Sequence, residues 1–220
     1  DTFNLQTLNA TTTVSGGAGN DTIKVGSAAP AASGDVHQIL GLLTVNEDGG
    51  SDTLNIGERG DATANTGQLT STALTGLGMS QGITYGTLET LNISLGAGGN
   101  TMNVRSTAAG TTTNLYMGSG NDTVNVGSTA PGAGGTINQV AGTLNVRGEG
   151  GNDALNIDDS GDTADNTGVL TLNTFSGFSP APITYETTET LNVHLGLGDD
   201  ALRIQSTAAI VATTVDDAGG

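Results

Sequence analysis

Residues 16–25 read Gly16-Gly17-Ala18-Gly19-Asn20-Asp21-Thr22-Ile23-Lys24-Val25. A glycine-rich acidic turn leads into a short run in which Ile23 and Val25 alternate with Thr22 and Lys24. Alternation of period two sends the aliphatic pair to one face of a strand and the polar pair to the other. Lys24 marks the polar face as the solvent face. The pattern returns at 48–56, 96–104, 118–126, 149–157 and 196–204. Its inward pairs there are Leu54 and Ile56, Met102 and Val104, Val124 and Val126, Leu155 and Ile157, and Leu202 and Ile204.

Working outward, the copies belong to a longer repeat. Residues 11–110 align with 111–210 at an offset of 101, which becomes 100 near the end. Asn20-Asp21-Thr22 recurs as Asn121-Asp122-Thr123, and Ile83-Thr84-Tyr85 as Ile183-Thr184-Tyr185. The turn acid falls at 21, 52, 122, 153 and 200, with Asn100 in the remaining copy, so the spacings are 31, 48, 22, 31 and 47. A minimal unit of 22 residues suits one coil of a solenoid, two or three short strands with their turns. The expected fold is therefore all-β, a parallel β-solenoid of the β-helix or β-roll kind. It is built of tandem repeats of about 100 residues, each with three coil units and loop insertions. Residues 27–40 and 128–140 read as plain loops, and 57–87 and 158–187 as side loops or a small hairpin packed on the coil. The expected organisation is the end of a truncated repeat at 1–10, full repeats at 11–110 and 111–210, and the start of another truncated repeat at 211–220. Such ends imply an excerpt from a much longer array, because an uncapped solenoid exposes strand edges.

Composition narrows the function. The chain has 220 residues, 22 acidic and 5 basic, for a net charge of −17. Five scattered cations cannot form the basic footprint of a nucleic-acid binder. The absence of cysteine excludes a disulfide framework and any thiolate metal site. No apolar run reaches the roughly 18 residues of a membrane span.

The turns resemble the nonapeptide Gly-Gly-x-Gly-x-Asp-x-apolar-x of repeats-in-toxin (hemolysin-type) calcium-binding proteins. Residues 16–24 match every fixed position; 117–125, 148–156 and 195–203 match all but the first or second glycine, 47–55 lacks both of these, and 95–103 has Asn100 for the Asp. The resemblance implies Ca²⁺ held by the carboxylates of Asp21, Asp52, Asp122, Asp153 and Asp200. Carbonyls of turn glycines such as Gly17, Gly19, Gly118 and Gly120 would complete the sites. Like charges on turns about 4.8 Å apart repel, and a hard cation with oxygen ligands relieves this. The family's nonapeptides follow one another directly, whereas here they stand apart. From the residues alone a second reading stays open, a glycine turn in which Asn or Asp bonds its own backbone with no metal.

The long unit also resembles repeats of giant bacterial extracellular proteins. That likeness implies a secreted, cell-surface or matrix structural protein, not an enzyme, whose partner is itself through end-to-end stacking and lateral bundling. The runner-up is a calcium-dependent adhesin stalk or ligand-binding surface protein. A polysaccharide-active β-helix enzyme needs a unique cluster of acids or aromatic platforms, and here the acids recur with the repeat. His37 and His194 do not correspond across the repeat, and His194 falls on a solvent face. Tyr85 and Tyr185 do correspond and suit packing of the insertions. An ice-binding Thr-x-Asn ladder is interrupted by Lys24, Ala154, Ala201 and Arg203.

Overall fold

The computed structural model describes residues 1–219. Among them there is no helix, and the regular structure is all strand. The first ten strands are β1 (Thr2–Leu5), β2 (Thr12–Ala18), β3 (Thr22–Val25), β4 (Leu43–Gly49), β5 (Thr53–Gly57), β6 (Thr66–Leu69), β7 (Ala73–Gly76), β8 (Ile83–Tyr85), β9 (Thr90–Ser94) and β10 (Thr101–Val104). The rest are β11 (Thr112–Tyr116), β12 (Thr123–Val126), β13 (Leu144–Arg147), β14 (Ala154–Asp158), β15 (Thr167–Leu170), β16 (Thr174–Ser176), β17 (Ile183–Glu186), β18 (Thr190–His194), β19 (Ala201–Ile204) and β20 (Ala212–Asp216).

These strands form two ten-stranded sheets. Sheet I has the order β1-β3-β5-β9-β11-β13-β17-β16-β15-β19, and sheet II the order β2-β4-β8-β7-β6-β10-β12-β14-β18-β20. Successive strands cross from one sheet to the other except inside the antiparallel meanders β6–β8 and β15–β17. All other pairings are parallel and join equivalent positions, as in Thr22↔Thr53 and Asn55↔Asn92 in sheet I or Val124↔Leu155 in sheet II. The arrangement is solenoid-like: two mostly parallel sheets fed alternately by one chain.

Alternation explains the core. Ile23, Leu54, Ile56, Leu91, Ile93, Met102, Val104, Leu155 and Ile157 are all buried and belong to one cluster shared by the two sheets. Each fully buried aliphatic side chain contributes about 1.5–3 kcal/mol. The predicted inward pairs therefore hold, except that Leu202 is only partly buried and Ile204 is exposed on β19, at the edge of sheet I.

The insertions do more than the sequence reading assigns them. Residues 57–87 and 158–187 do not pack on the outside; their strands β6–β8 and β15–β17 are inserted into the sheets. Leu69, Leu74, Ile83 and Tyr85, with Leu170, Phe175, Ile183 and Tyr185 in the second half, face the core. Each of these strands has four residues or fewer, too short for its alternation to stand out against a loop. The Tyr85 and Tyr185 hydroxyls donate to the carbonyls of Thr70 and Thr171, which ties each meander turn to its last strand. The shorter insertions are not plain loops either. Val36, Ile39, Ile137 and Val140 are fully buried, and the bridges Leu8↔Ile39 and Thr107↔Val140 attach them to neighbouring coils.

From β3 to its counterpart β12 the chain makes seven passes: β3, β4, β5, the β6–β8 meander, β9, β10 and β11. Seven is odd, so β3 lies in sheet I and β12 in sheet II. Each repeat thus meets the next with the sheets exchanged. The meanders follow suit: β6–β8 widens sheet II and β15–β17 widens sheet I, which leaves the two sheets equal at ten strands.

On the outer faces the Asn positions form ladders. In sheet I, Asn92 donates to Asn55, Asn114 to Asn92 and Asn145 to Asn114, at 2.7–2.9 Å. In sheet II, Asn125 donates to Asn103, Asn156 to Asn125 and Asn192 to Asn156, at 2.8–2.9 Å.

Candidate metal centres

The turn acids occupy the residue before each strand, where a parallel sheet leaves a row of N–H groups to satisfy. Asp21 N–H donates to Asp52 Oδ1 at 2.8 Å, and Asp52 N–H donates to Glu89 Oε2 at 2.6 Å. On the opposite sheet, Asn65 N–H donates to Asn100 Oδ1, Asn100 N–H to Asp122 Oδ1, Asp122 N–H to Asp153 Oδ1 and Asp153 N–H to Glu189 Oε2, at 2.6–3.0 Å. Asn166 N–H donates to Asp200 Oδ1 at 2.8 Å. The bonds reach the neighbouring coil's backbone; within its own turn Asp200 also accepts from Gly196 N–H at 3.0 Å, and the Asn100 amide donates to the Gly96 carbonyl at 3.4 Å.

The five predicted aspartates therefore do not share one line. Asp21 and Asp52 stand at the start of sheet I strands, Asp122 and Asp153 at the start of sheet II strands, and Asp200 before β19, back in sheet I. The odd number of passes per repeat divides them. Glu89 and Glu189 continue the two columns, and the glycine-turn motif does not mark them because no such turn precedes them.

Each ladder bond uses one carboxylate oxygen. Asp21 Oδ2, Asp122 Oδ2 and Asp153 Oδ2 are buried with no hydrogen-bond partner. Asp21 Oδ1 is approached by the Asp1 amino group. At Asp200 both oxygens are bonded, which makes it the poorest ligand of the five. Gly17, Gly19, Gly118 and Gly120 have φ of 84°, 122°, 92° and 154°, backbone that a side chain rarely adopts. Of their carbonyls, that of Gly118 already accepts the Gly150 N–H.

One further acid changes the first turn. Glu47 is 5% exposed, accepts the Gly16 N–H at 3.0 Å through Oε2, and leaves Oε1 without a partner. Asp21, Glu47 and Asp52 each bring an oxygen within 4.8 Å of the other two. Ligands bonded at 2.3–2.6 Å to one Ca²⁺ lie at most about 5 Å apart, so this all-oxygen set fits that ion. A Cβ at Gly16 would stand 2.0 Å from Glu47 Oε2 and 2.6 Å from Asp21 Oδ2, so only glycine leaves room for both carboxylates. Burial raises the Glu47 carboxyl above its ordinary value, and the charges of Asp52, Asp21 and Asp48 add to this. In the second repeat Met117 and Gly148 replace Gly16 and Glu47, and Met117 is fully buried. Burial, then Asp153, pushes Asp122 there up to about 6. Asp153 is likewise raised by burial, then by Glu189.

No protein family, no curated protein and no solved structure matches this chain.

Proposed function

We propose that this chain is a structural segment of a giant secreted repeat protein, a parallel β-solenoid that forms an extracellular fibre, filament or matrix and is stiffened by calcium. The observation that carries the reading is the repeated ladder at the strand starts, where turn acids accept from the neighbouring coil's backbone and Asp21, Asp122 and Asp153 each keep an unpaired buried oxygen. Such a row transmits load along the stack and attracts cations between coils. Calcium is best accommodated by Asp21, Glu47 and Asp52; the orphaned oxygens of Asp122 and Asp153 make weaker sites. The outer edges of β1 and β19, and of β2 and β20, are open among the described residues, which suits end-to-end stacking of further repeats. The acidic exterior suits a chain that is exported and then folds on meeting external calcium.

The test is to join residues 11–210 in tandem copies and measure length by small-angle scattering in millimolar calcium. With nine strands per long repeat divided between two sheets, an average of four and a half spacings of about 4.8 Å, the rod is expected to lengthen by roughly 22 Å for each added repeat. Growth as a compact particle would overturn the filament reading. Identical melting with calcium and with chelator, and no heat of calcium binding, would remove the calcium part alone.

A further inference from the structure

A second cluster lies away from the turn acids, where the 27–40 insertion meets the loop after β5. His37 Nε2 stands 3.0 Å from Asp61 Oδ2. Together with a Glu58 carboxylate oxygen, these ligand atoms all lie within 4.8 Å of one another. Asp61 is held rigidly: Oδ1 accepts the Thr63 N–H at 2.8 Å and hydroxyl at 2.7 Å, and Oδ2 accepts the Asn65 amide at 2.5 Å. Burial opposes ionisation of Asp61, but these bonds and His37 win and hold its carboxyl below the usual value.

Glu58 is different. It is 1% exposed, and both of its carboxylate oxygens are buried without a hydrogen-bond partner. Burial pushes it up to about 8; the nearby Val36 N–H offsets this in part without reaching hydrogen-bond geometry, and the charges of Asp61 and Asp35 add to it. An acid placed there with two unpaired oxygens costs stability unless something positive joins it. Gly78 leaves space for the imidazole, since a Cβ at that position would stand 2.1 Å from His37 Cδ2.

We propose that His37 Nε2, Glu58 and Asp61 bind a divalent first-row transition ion of the Zn²⁺ class, which pins the insertion to the loop after β5. The imidazole nitrogen separates this site from the all-oxygen turns, because nitrogen donors favour such ions over Ca²⁺. Its 3.0 Å approach to Asp61 is close to the roughly 3.3 Å edge of a tetrahedron around zinc bonded at 2.0–2.1 Å. Water completes the coordination in this reading.

The second repeat supplies a natural contrast. Asn138, Asp159 and Asp162 stand where His37, Glu58 and Asp61 stand in the first. Asn138 Nδ2 donates to Asp162 Oδ2 at 3.2 Å, and Asp159 Oδ1 accepts the Ile137 N–H at 2.9 Å. An amide there closes the loop contact without an imidazole, so an asparagine at 37 is compatible with the fold.

The test is calorimetry with Zn²⁺, and visible absorption with Co²⁺ as an imidazole-sensitive probe, both in excess Ca²⁺ so that any turn site is occupied. The wild-type chain is expected to take one zinc, His37→Asn none, and Asn138→His two. Glu58→Gln is expected to weaken zinc binding by roughly 100-fold or more, since loss of even an outer-shell partner costs 10–100-fold. His194→Asn is expected to keep one zinc, because His194 lies half-exposed on an outer strand face between Asp158 and Asp216, both more open to water than Glu58 and Asp61. Circular dichroism in chelator should be the same for His37→Asn and wild type. Absence of zinc binding by the wild type, binding that survives His37→Asn, binding that Glu58→Gln leaves unweakened, or binding lost with His194→Asn would each overturn the proposal.

Discussion

The first and second repeats share strand order, parallel registers and backbone ladders, yet place different side chains on that frame. At the turn, Gly16 and Glu47 of the first repeat become Met117 and Gly148. In the insertion, His37 and Glu58 become Asn138 and Asp159. In the meander, Leu74 and Leu77 become Phe175 and Phe178. What does not change is the acceptor before each strand and the inward aliphatic pair. The frame therefore demands only a hydrogen-bond acceptor at the turn and apolar volume inside. Everything beyond that is free to diverge, and it diverges at the two places where the first repeat gathers acids.

The meander is where the contrast should be largest in energy. Phe175 and Phe178 stack with ring centroids 5.2 Å apart, and both are buried. Gly168 lies beneath Phe178, as Gly67 lies beneath Leu77. Phe175→Ala removes more volume and a stacked pair, so it is expected to cost about 3–5 kcal/mol, against about 2–4 kcal/mol for Leu74→Ala. Urea unfolding of the two variants measures the difference. Equal costs would mean that the two meanders relax alike and that the aromatic pair adds nothing.

Much of this frame can be read in the residues, and the reason is physical. A strand whose side chains alternate between core and water leaves a period-two record, and stacking of like on like makes the record repeat. That is why Ile23 and Val25 or Leu155 and Ile157 declare themselves. The meanders leave a weaker record, because strands of three or four residues alternate only once or twice. The candidate sites are less legible still. Asp21 and Asp52 are marked by their glycine turns, but Glu47 and Glu58 carry no local signature. They become candidate ligands only because other segments fold against them. Nor can spacing alone show that the aspartates divide between two sheets; that follows from the parity of the passes.

Next in size is a pH effect in metal-free protein. Glu58 is raised to about 8 and its counterpart Asp159 to about 7, both first by burial. Their ordinary values are 4.5 and 3.8. A raised acid keeps its proton in the folded chain at pH values where the unfolded chain has lost it. Its contribution to stability is complete below the unfolded value and is lost as pH rises through the folded one. In chelator, stability is therefore expected to fall by on the order of a few kcal/mol between pH 5 and pH 8. Glu58→Gln should remove its share of the fall up to pH 8, including nearly all of it above pH 7, and Asp159→Asn its share below about pH 7 only. A flat profile in the wild type would mean that neither acid is protonated in the folded chain.

The turn contrast is smaller. In millimolar calcium, Glu47→Gln is expected to remove most of the calcium-induced rise in melting temperature, about 1–3 kcal/mol of linkage. Asp122→Asn, on the other repeat, should leave that rise nearly intact. In chelator neither change should destabilise appreciably, since each replaces a buried carboxylate that has an unpaired oxygen. The column already tolerates an amide at Asn100. Equal loss of the calcium response in both variants would place the ion at the shared frame and not at Glu47.

The outer ladders test whether the frame itself is equal on its two sides. Asn114 lies mid-ladder in sheet I, donating to Asn92 at 2.8 Å and accepting from Asn145 at 2.7 Å. Asn125 does the same in sheet II, donating to Asn103 and accepting from Asn156, both at 2.9 Å. Both residues are half-buried, so water can replace part of what an alanine takes away. Each substitution is expected to cost about 1 kcal/mol, the net worth of one or two partly hydrated hydrogen bonds. The two costs should agree within about 0.5 kcal/mol, because exchange of the sheets gives each ladder the same pleat, spacing and donor order. A double variant should then be additive, since the ladders sit on opposite sheets and share no partner. A markedly larger cost on one side would show that the sheets bear load unequally, and that exchanging them from repeat to repeat serves to even it out along the chain.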